Sequence, residues 1–495
     1  MSGISYIMVV IGILAAKCLG FLREIVFASV FGASEYTDIY FQIFSIASLV
    51  FTGVGTALAT LVIKNLNKSE NSMPEMKRGY VAYFIKKTSI IVIAITAALY
   101  VSAPFCIKIL LPGLNKNLYD TALKIMYIML PSALFIIVAY IMSGVLQNCK
   151  VFFVTSIMSL PYNIVIIAFL LFKNTNIFTI SLITTIGWFL HIVILMPQFI
   201  KKGYRLTAKA ENHSIKSDNG REVLFIFISS MMFQICFITD KASVSADSGS
   251  ASTINYASNL FLTIASVFVV AMSNVTYPSI CKNFENGNMK YVTETLKYLI
   301  TVLFAIFLPF ILVVCFFGGD IISLVYERGE FTHELAVKTS VLFAVYTFGI
   351  FGYVCQEILN KILYLGSKYK YTVIGTLVVI LLKPVINRFL FPVWGAVGVA
   401  CATTLLFTLY AIYIAVLMKK VVGKYTDSRL ARNILKTIIS GAAASGAYFA
   451  VKMSGLSFLQ SRLGFIANLA VCAVVYLAFF LLLGLRKEII FNQKK

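Results

Sequence analysis

Residues 295–317 read TLKYLITVLFAIFLPFILVVCFF, and from Tyr298 to Phe317 the run contains no Asp, Glu, Lys, Arg or His. A helix of about 20 residues rises roughly 30 Å, the thickness of a bilayer's hydrocarbon core. No water reaches that depth, so each backbone N–H and C=O must be satisfied within a helix or around a closed barrel. Barrel strands alternate apolar and polar residues over about ten positions. This run is apolar throughout, which selects a helix. Working outward, comparable runs recur along the chain, and the sequence predicts fourteen helices near 3–31, 37–63, 79–103, 121–147, 151–172, 177–198, 222–246, 253–281, 295–317, 336–364, 369–391, 393–418, 433–452 and 463–485. The fold class expected is an all-α integral membrane protein. Of its 495 residues 60% are hydrophobic and only 13% charged, against about 25% charged in soluble domains, whose surfaces face water.

The net charge of +22 has two readings, an acidic partner such as nucleic acid or the retention of cytoplasmic loops by Lys and Arg. The distribution favours the second. Basic residues gather in 64–78 (Lys64, Lys68, Lys77, Arg78), 199–221 (Lys201, Lys202, Arg205, Lys209, Lys216, Arg221) and 419–436 (Lys419, Lys420, Lys424, Arg429, Arg432, Lys436). The turn at 32–36 has none, and 173–176 has only Lys173. With an even number of helices, both termini are expected in the cytoplasm of a bacterial cell, the first helix remaining uncut. The longest polar interruption divides the chain into an N-terminal lobe (1–198), a basic cytoplasmic linker (199–221), a C-terminal lobe (222–420) and a terminal helix pair with a basic tail (421–495). Leu160-Pro161-Tyr162-Asn163 in the fifth helix and Lys383-Pro384-Val385-Ile386-Asn387 in the eleventh read as matching polar breaks, a pattern that alternating-access transporters place around a midplane site.

Ionisable residues inside such helices are costly and usually face a cavity or a partner. The first helix carries Lys17, Arg23 and Glu24, with Gly20 between them. At helical spacing Lys17 and Glu24 share a face and Arg23 points roughly 120° away. Together they read as the charged wall of a cavity, or as residues snorkelling to a helix end. Asp38, behind Thr37, reads either as a cavity charge or as N-terminal dipole compensation. Asp240-Lys241 near the end of the seventh helix, the pair Glu357 and Lys361 in the tenth, and Lys383 with Asn387 in the eleventh complete the set. No enzymatic constellation accompanies them. His191, His213 and His333 are isolated, and no HExxH, GxSxG or GxxxxGK[ST] pattern occurs. The nine cysteines show no CxxC spacing and read as packing residues. No cofactor is expected.

Lys17-Cys18-Leu19-Gly20-Phe21-Leu22-Arg23-Glu24, followed by Phe31-Gly32-Ala33 and Thr37-Asp38, resembles the MurJ/MviN lipid II flippase family's opening, S-R-x-L-G-F-x-R-[DE]…F-G-A…T-D-x-[FY]. Gly249-Ser250-Ala251-Ser252 with Asn255-Tyr256-Ala257, Glu327-Arg328-Gly329-Glu330-Phe331-Thr332, Glu357 to Tyr364, and Asn387-Arg388-Phe389-Leu390 with Gly395 to Thr403 are similar to its later motifs, in the same order. The resemblance implies the multidrug/oligosaccharidyl-lipid/polysaccharide exporter fold: two six-helix lobes around a central cationic cavity, and a terminal helix pair forming a groove to the lipid. It implies as substrate a polyprenyl-pyrophosphate-linked saccharide, lipid II or a related glycan, moved by alternating access from the cytoplasmic to the outer face. The partners implied are that saccharide and membrane lipids, not nucleic acid, for a monomer working beside envelope-synthesis enzymes.

The chain departs from the family pattern. Lys17 replaces the first arginine, Phe51-Thr52 and Thr56 stand at a basic pair and a nearby acid, and Asn259 at a helix-eight arginine. Candidate substrate contacts are therefore Lys17, Arg23, Glu24, Asp38, Lys241, Asn259, Glu357 and Lys361. The family's sodium site falls on Asp240, Lys383, Asn387, Val399 and Thr403, with Lys383 in place of an oxygen donor. That site is expected to be degenerate, the Lys383 ammonium neutralising Asp240 where sodium would. An inactive scaffold of envelope synthesis and a small-molecule exporter of the same superfamily are the competing readings.

Overall fold

The computed structural model describes residues 3–46, 51–68, 73–172, 175–206, 231–366, 368–453 and 464–485, together with 225, 228 and 229. Every regular element among them is helical. Among the described residues nine helical stretches are long and apolar enough to cross a membrane, or ten if a bent pair counts as one span. Fourteen is not reached by that criterion, for identifiable reasons. In the first helix the side chains of 3–7 and 10 lie outside the described residues, and the continuous remainder, 11–31, carries three charges. Residues 47–50 and most of 222–230, which the second and seventh expected helices need, lie outside the described residues. The stretch Tyr369–Val422 has 54 residues, about 80 Å of helix, and is divided at Gly395 (φ 56°, ψ −140°) into two segments that each suffice to cross.

The chain forms two compact units, residues 1–255 with 328–331, and residues 256–327 with 332–495. In the first, α1 (Gly3–Phe31) leads to α2 (Glu35–Phe44), α3 (Phe51–Lys68) and α4 (Pro74–Leu110). A short 3-10 turn (Lys116–Leu118) precedes α5 (Tyr119–Met129), α6 (Ser132–Asn148), α7 (Phe153–Ser156), α8 (Leu160–Leu170), α9 (Ile177–Lys201) and α10 (Met232–Ser243). Several spans expected to be continuous are broken. The fourth is interrupted at Leu130-Pro131, where proline supplies no N–H to the helical ladder. The fifth breaks at 157–159 and restarts at Leu160 with Pro161 in its first turn. In α2 the cap is Ser34, whose hydroxyl accepts from Thr37 N (3.4 Å) while Thr37 Oγ1 accepts from Ser34 N (2.7 Å), a reciprocal capping box.

In the second unit α11 (Ser250–Glu285, its first turn in the first unit) is followed by α12 (Met289–Tyr326), α13 (His333–Phe348), α14 (Ile350–Leu365), α15 (Tyr369–Val422), α16 (Ser428–Met453) and α17 (Gly464–Leu482). The run quoted at the outset lies inside α12. The tenth expected helix is the pair α13–α14, bent by 43°. Pro384 does not break its helix, which continues to the Gly395 bend, so the match proposed between the fifth and eleventh helices does not hold. The terminal pair packs on α12: Tyr448 stacks on Phe316 at 4.3 Å, and Tyr476 donates to the Ala305 carbonyl at 2.8 Å. At the head of α12, Lys297 Nζ reaches both Glu294 Oε1 and Asp427 Oδ2 at 2.7 Å. The hydrogen bond from Lys297 holds the Asp427 carboxyl below its ordinary value. Both units expose large apolar side chains, among them Val101 (85%) and Leu482 (80%). Such a surface suits lipid rather than water.

Candidate functional site

In the first unit the α1 face bearing Gly20 and Arg23 turns toward α8. Gly20 sits within van der Waals reach of the Asn163 side chain, and one turn later Arg23 Nη1 donates to Asn163 Oδ1 at 3.3 Å. Arg23 Nη2 is ion-paired with Glu24 Oε1. The guanidinium carbon lies 5.2 Å from the Tyr162 ring centre and 5.9 Å from that of Phe44. Aromatic faces attract such a cation, so Arg23 is held by an acid, an amide and two rings. Tyr162 packs against Trp188 (5.1 Å) and His191 (5.5 Å), which stack on each other at 4.6 Å.

This cluster contains three buried polar atoms without a hydrogen-bond partner among the described residues: Glu24 Oε2, Tyr162 Oη and Trp188 Nε1. Leaving such a group unsatisfied costs about 1–3 kcal/mol, so native structures rarely gather several in one place. A polar ligand or ordered water would relieve them. Lys17, two turns before Glu24, is half-buried.

Asp38 is buried and engaged by the start of α11. Its Oδ1 accepts from Ser252 N (2.6 Å) and Ser252 Oγ (2.5 Å), and its Oδ2 from Gly249 N (2.7 Å). The dipole compensation expected of Asp38 thus acts on α11, while Ser34 caps Asp38's own helix. Lys241 is also buried, so it does not anchor a surface. Its Nζ donates to Ser45 Oγ, Asn255 Oδ1 (3.2 Å) and the Phe41 carbonyl (3.4 Å), within the electrostatic reach of Glu24, Asp240 and Asp38. Lys17, Arg23 and Lys241 therefore stand against Glu24, Asp38 and Asp240. The three charges of each sign balance, and the N-terminus of α11 adds about half a positive charge beside Asp38.

In the second unit Lys383 is fully buried. Its Nζ donates to Asn387 Oδ1 (2.7 Å) and to the Val399 carbonyl (3.0 Å), which also accepts from Thr403 Oγ1 (3.4 Å). Four of the residues at the family's sodium position therefore come together, but the oxygens face an ammonium. A sodium ion needs those same oxygens, so this donor set does not fit one. Asp240, the fifth, belongs to the first unit and is fully buried there. Glu357 and Lys361 are half-buried one turn apart on α14 and interact electrostatically. Asn259 is half-buried on α11.

Reasoning from sequence singled out the charges and missed Tyr162, Trp188 and His191. The available signal was the spacing of Trp188 and His191, one turn apart on α9, with a Tyr-Asn pair at the head of α8.

The family profile described as Lipid II flippase MurJ matches residues 27–467. A protein of Buchnera aphidicola subsp. Acyrthosiphon pisum, named probable lipid II flippase MurJ, is 23% identical over 418 residues, 79% of each chain. The lipid II flippase MurJ of Burkholderia cenocepacia is 21% identical over 421 residues, 79% of this chain and 80% of the relative. Among solved structures, lipid II flippase MurJ in an inward closed conformation superposes with a TM-score of 0.81 at 22% identity, covering 97% of this chain and 99% of its own. An inward-facing multidrug resistance MATE family transporter of the MOP superfamily follows at 0.68 and 12%, covering 83% and 95%. These structural matches speak for the fold, and the profile, spanning most of the sequence, speaks for descent: this multi-pass membrane protein belongs to the lipid II flippase MurJ family.

Proposed function

We propose that this chain moves lipid II, a polyprenyl-pyrophosphate-linked saccharide, from the cytoplasmic to the outer face of the bacterial plasma membrane, with Arg23 receiving the pyrophosphate. The observation that carries the reading is the cluster around Arg23. A guanidinium has five N–H donors, and two are used on Asn163 and Glu24. Beside it lie the unpartnered polar atoms of Glu24, Tyr162 and Trp188. An entering pyrophosphate gains charge-assisted, fork-shaped hydrogen bonds at a depth where water offers none, and the headgroup's polar atoms relieve the orphaned ones. Lys17 and Lys241 add attraction. The polyprenyl tail stays in hydrocarbon, along the apolar surface of α16 and α17.

The basic residues of the 199–221 linker and of the C-terminal tail favour the cytoplasmic side, an even number of helices brings the N-terminus to the same side, and the chain works as a monomer beside envelope-synthesis enzymes. Lys383 supplies a tethered cation within the second unit, so the cycle does not draw on sodium. The test is complementation of a strain whose own lipid II flippase can be depleted. Growth after depletion supports the proposal. Lysis despite normal membrane levels of this protein overturns lipid II as cargo.

A further inference from the structure

Away from Arg23, a groove of about 1050 Å³ opens on the first unit between α4, α6 and α9. Its polar lining is the α4 stripe Tyr83, Lys86 and Ser89, and beyond that boundary it is lined by apolar side chains including Leu134, Phe135, Val138, Phe189 and Val193. The depth of that boundary can be read from α4. From Thr88 to Ile107 the helix carries no charge, and about 20 residues cover roughly 30 Å, one hydrocarbon core. Lys86 and Lys87 therefore stand at the headgroup level, and the apolar part of the groove runs into the hydrocarbon beside the start of that stretch.

The surroundings have one sign of charge. Arg78 lies against Gly203, just past the end of α9, so the start of α4 and the end of α9 meet there. That end also carries Lys201, Lys202 and Arg205, and Glu75 is the sole acid within 74–87 and 196–206. Lys86, Lys87, Arg78 and Arg205 are exposed. A basic rim at headgroup depth above an apolar slot matches a molecule with an anionic head and a hydrocarbon chain.

We propose that this groove is a binding site for an anionic phospholipid of the surrounding bilayer, its phosphate on Lys86 and Lys87 and one acyl chain lying between α4, α6 and α9. The lipid so held braces α4 against α9 and is separate from the cargo. Snorkelling alone would explain Lys86 without any preference among lipids, and this separates the two accounts.

The test is native mass spectrometry of the full-length protein with phosphatidylglycerol, phosphatidylcholine or undecaprenyl phosphate added. The wild type is expected to retain phosphatidylglycerol about fivefold more tightly than phosphatidylcholine for each engaged lysine. The preference should vanish in Lys86→Gln/Lys87→Gln. Val193→Trp, at an exposed position, should weaken both phospholipids by filling the apolar part. The three substituted side chains, Lys86, Lys87 and Val193, are exposed, and an unchanged unfolding temperature without added lipid verifies folding. Equal retention of the two phospholipids by the wild type, or an undiminished preference in the double variant, overturns the proposal. So does undecaprenyl phosphate displacing phosphatidylglycerol at equal concentration, which would assign the groove to a cargo tail, or a dimer that excludes lipid from it. Failure of complementation leaves this result untouched, because binding is read without transport.

Discussion

Arg23 is the residue at which charge, geometry and membrane depth converge. Arg23→Ala removes the cation that pairs with Glu24 and bonds Asn163. Truncating one partner of a buried charged pair costs about 2–5 kcal/mol, much of it from leaving the other charge uncompensated. The variant should insert into the membrane yet fail to support growth when the host flippase is depleted. Arg23→Lys should retain partial function, since it keeps the charge and loses the fork. Lys17→Ala should be milder still. A fully active Arg23→Ala protein at normal abundance would remove Arg23 from the cargo site. Arg23 and Glu24 stand out in the sequence because ionisable residues interrupt an apolar run, a contrast visible locally. Tyr162, Trp188 and His191 do not, because aromatic residues in apolar helices usually pack as core. Tyr162 gains its role by lying against Arg23, about 140 positions earlier in the chain, and Trp188 and His191 gain theirs by packing on Tyr162.

Among the elements, the clearest coupling is between α1 and the segment 328–331, which belong to the same unit. Glu330 N donates to the Ser29 carbonyl at 2.9 Å, and a Cβ added at Gly329 (φ 59°) would fall 2.1 Å from that carbonyl oxygen. Gly329→Ala should suffer twice, from a left-handed backbone costing roughly 1–2 kcal/mol and from a Cβ with no room. Gly287→Ala is the internal control, since Gly287 has positive φ and open space around it. In detergent, thermal unfolding of Gly329→Ala should begin well below that of Gly287→Ala. Equal transitions would mean that the segment's docking on α1 contributes nothing to stability. The sequence allows the spans to be located because lipid demands continuous apolar runs, and α12 contains the whole of 295–317. It does not reveal where spans break. Pro131 interrupts its helix while Pro384 does not, because the freed carbonyl's fate depends on neighbours. The Asp38 clamp on α11 is equally invisible, being set by a pairing across more than 200 residues.

For the whole molecule, orientation and energy source each have a decisive measurement. In a background stripped of its nine native cysteines, a cysteine at position 34 should react with an impermeant reagent in intact cells, and cysteines within 199–221 should not. Labelling of 199–221 from outside would reverse the orientation. The energy source turns on Lys383. An ammonium cannot leave the protein, so a site that holds one through Asn387 and Val399 cannot couple transport to a sodium gradient by binding and release. Wild-type transport should therefore proceed equally with sodium or potassium as the sole alkali cation. Lys383→Met keeps the volume and withdraws the charged donor from two buried acceptors, at about 1.5–3 kcal/mol per charged hydrogen bond lost, and should lower the unfolding temperature. Lys383→Asn with Asn387→Asp replaces the tethered cation by oxygen ligands, which sodium prefers, and should stabilise the protein selectively in sodium over potassium. That selectivity in thermal unfolding tests the site even if the double variant no longer transports. Strict sodium dependence of the unmodified protein would show that the cation enters elsewhere, and that Lys383 is a buried structural charge.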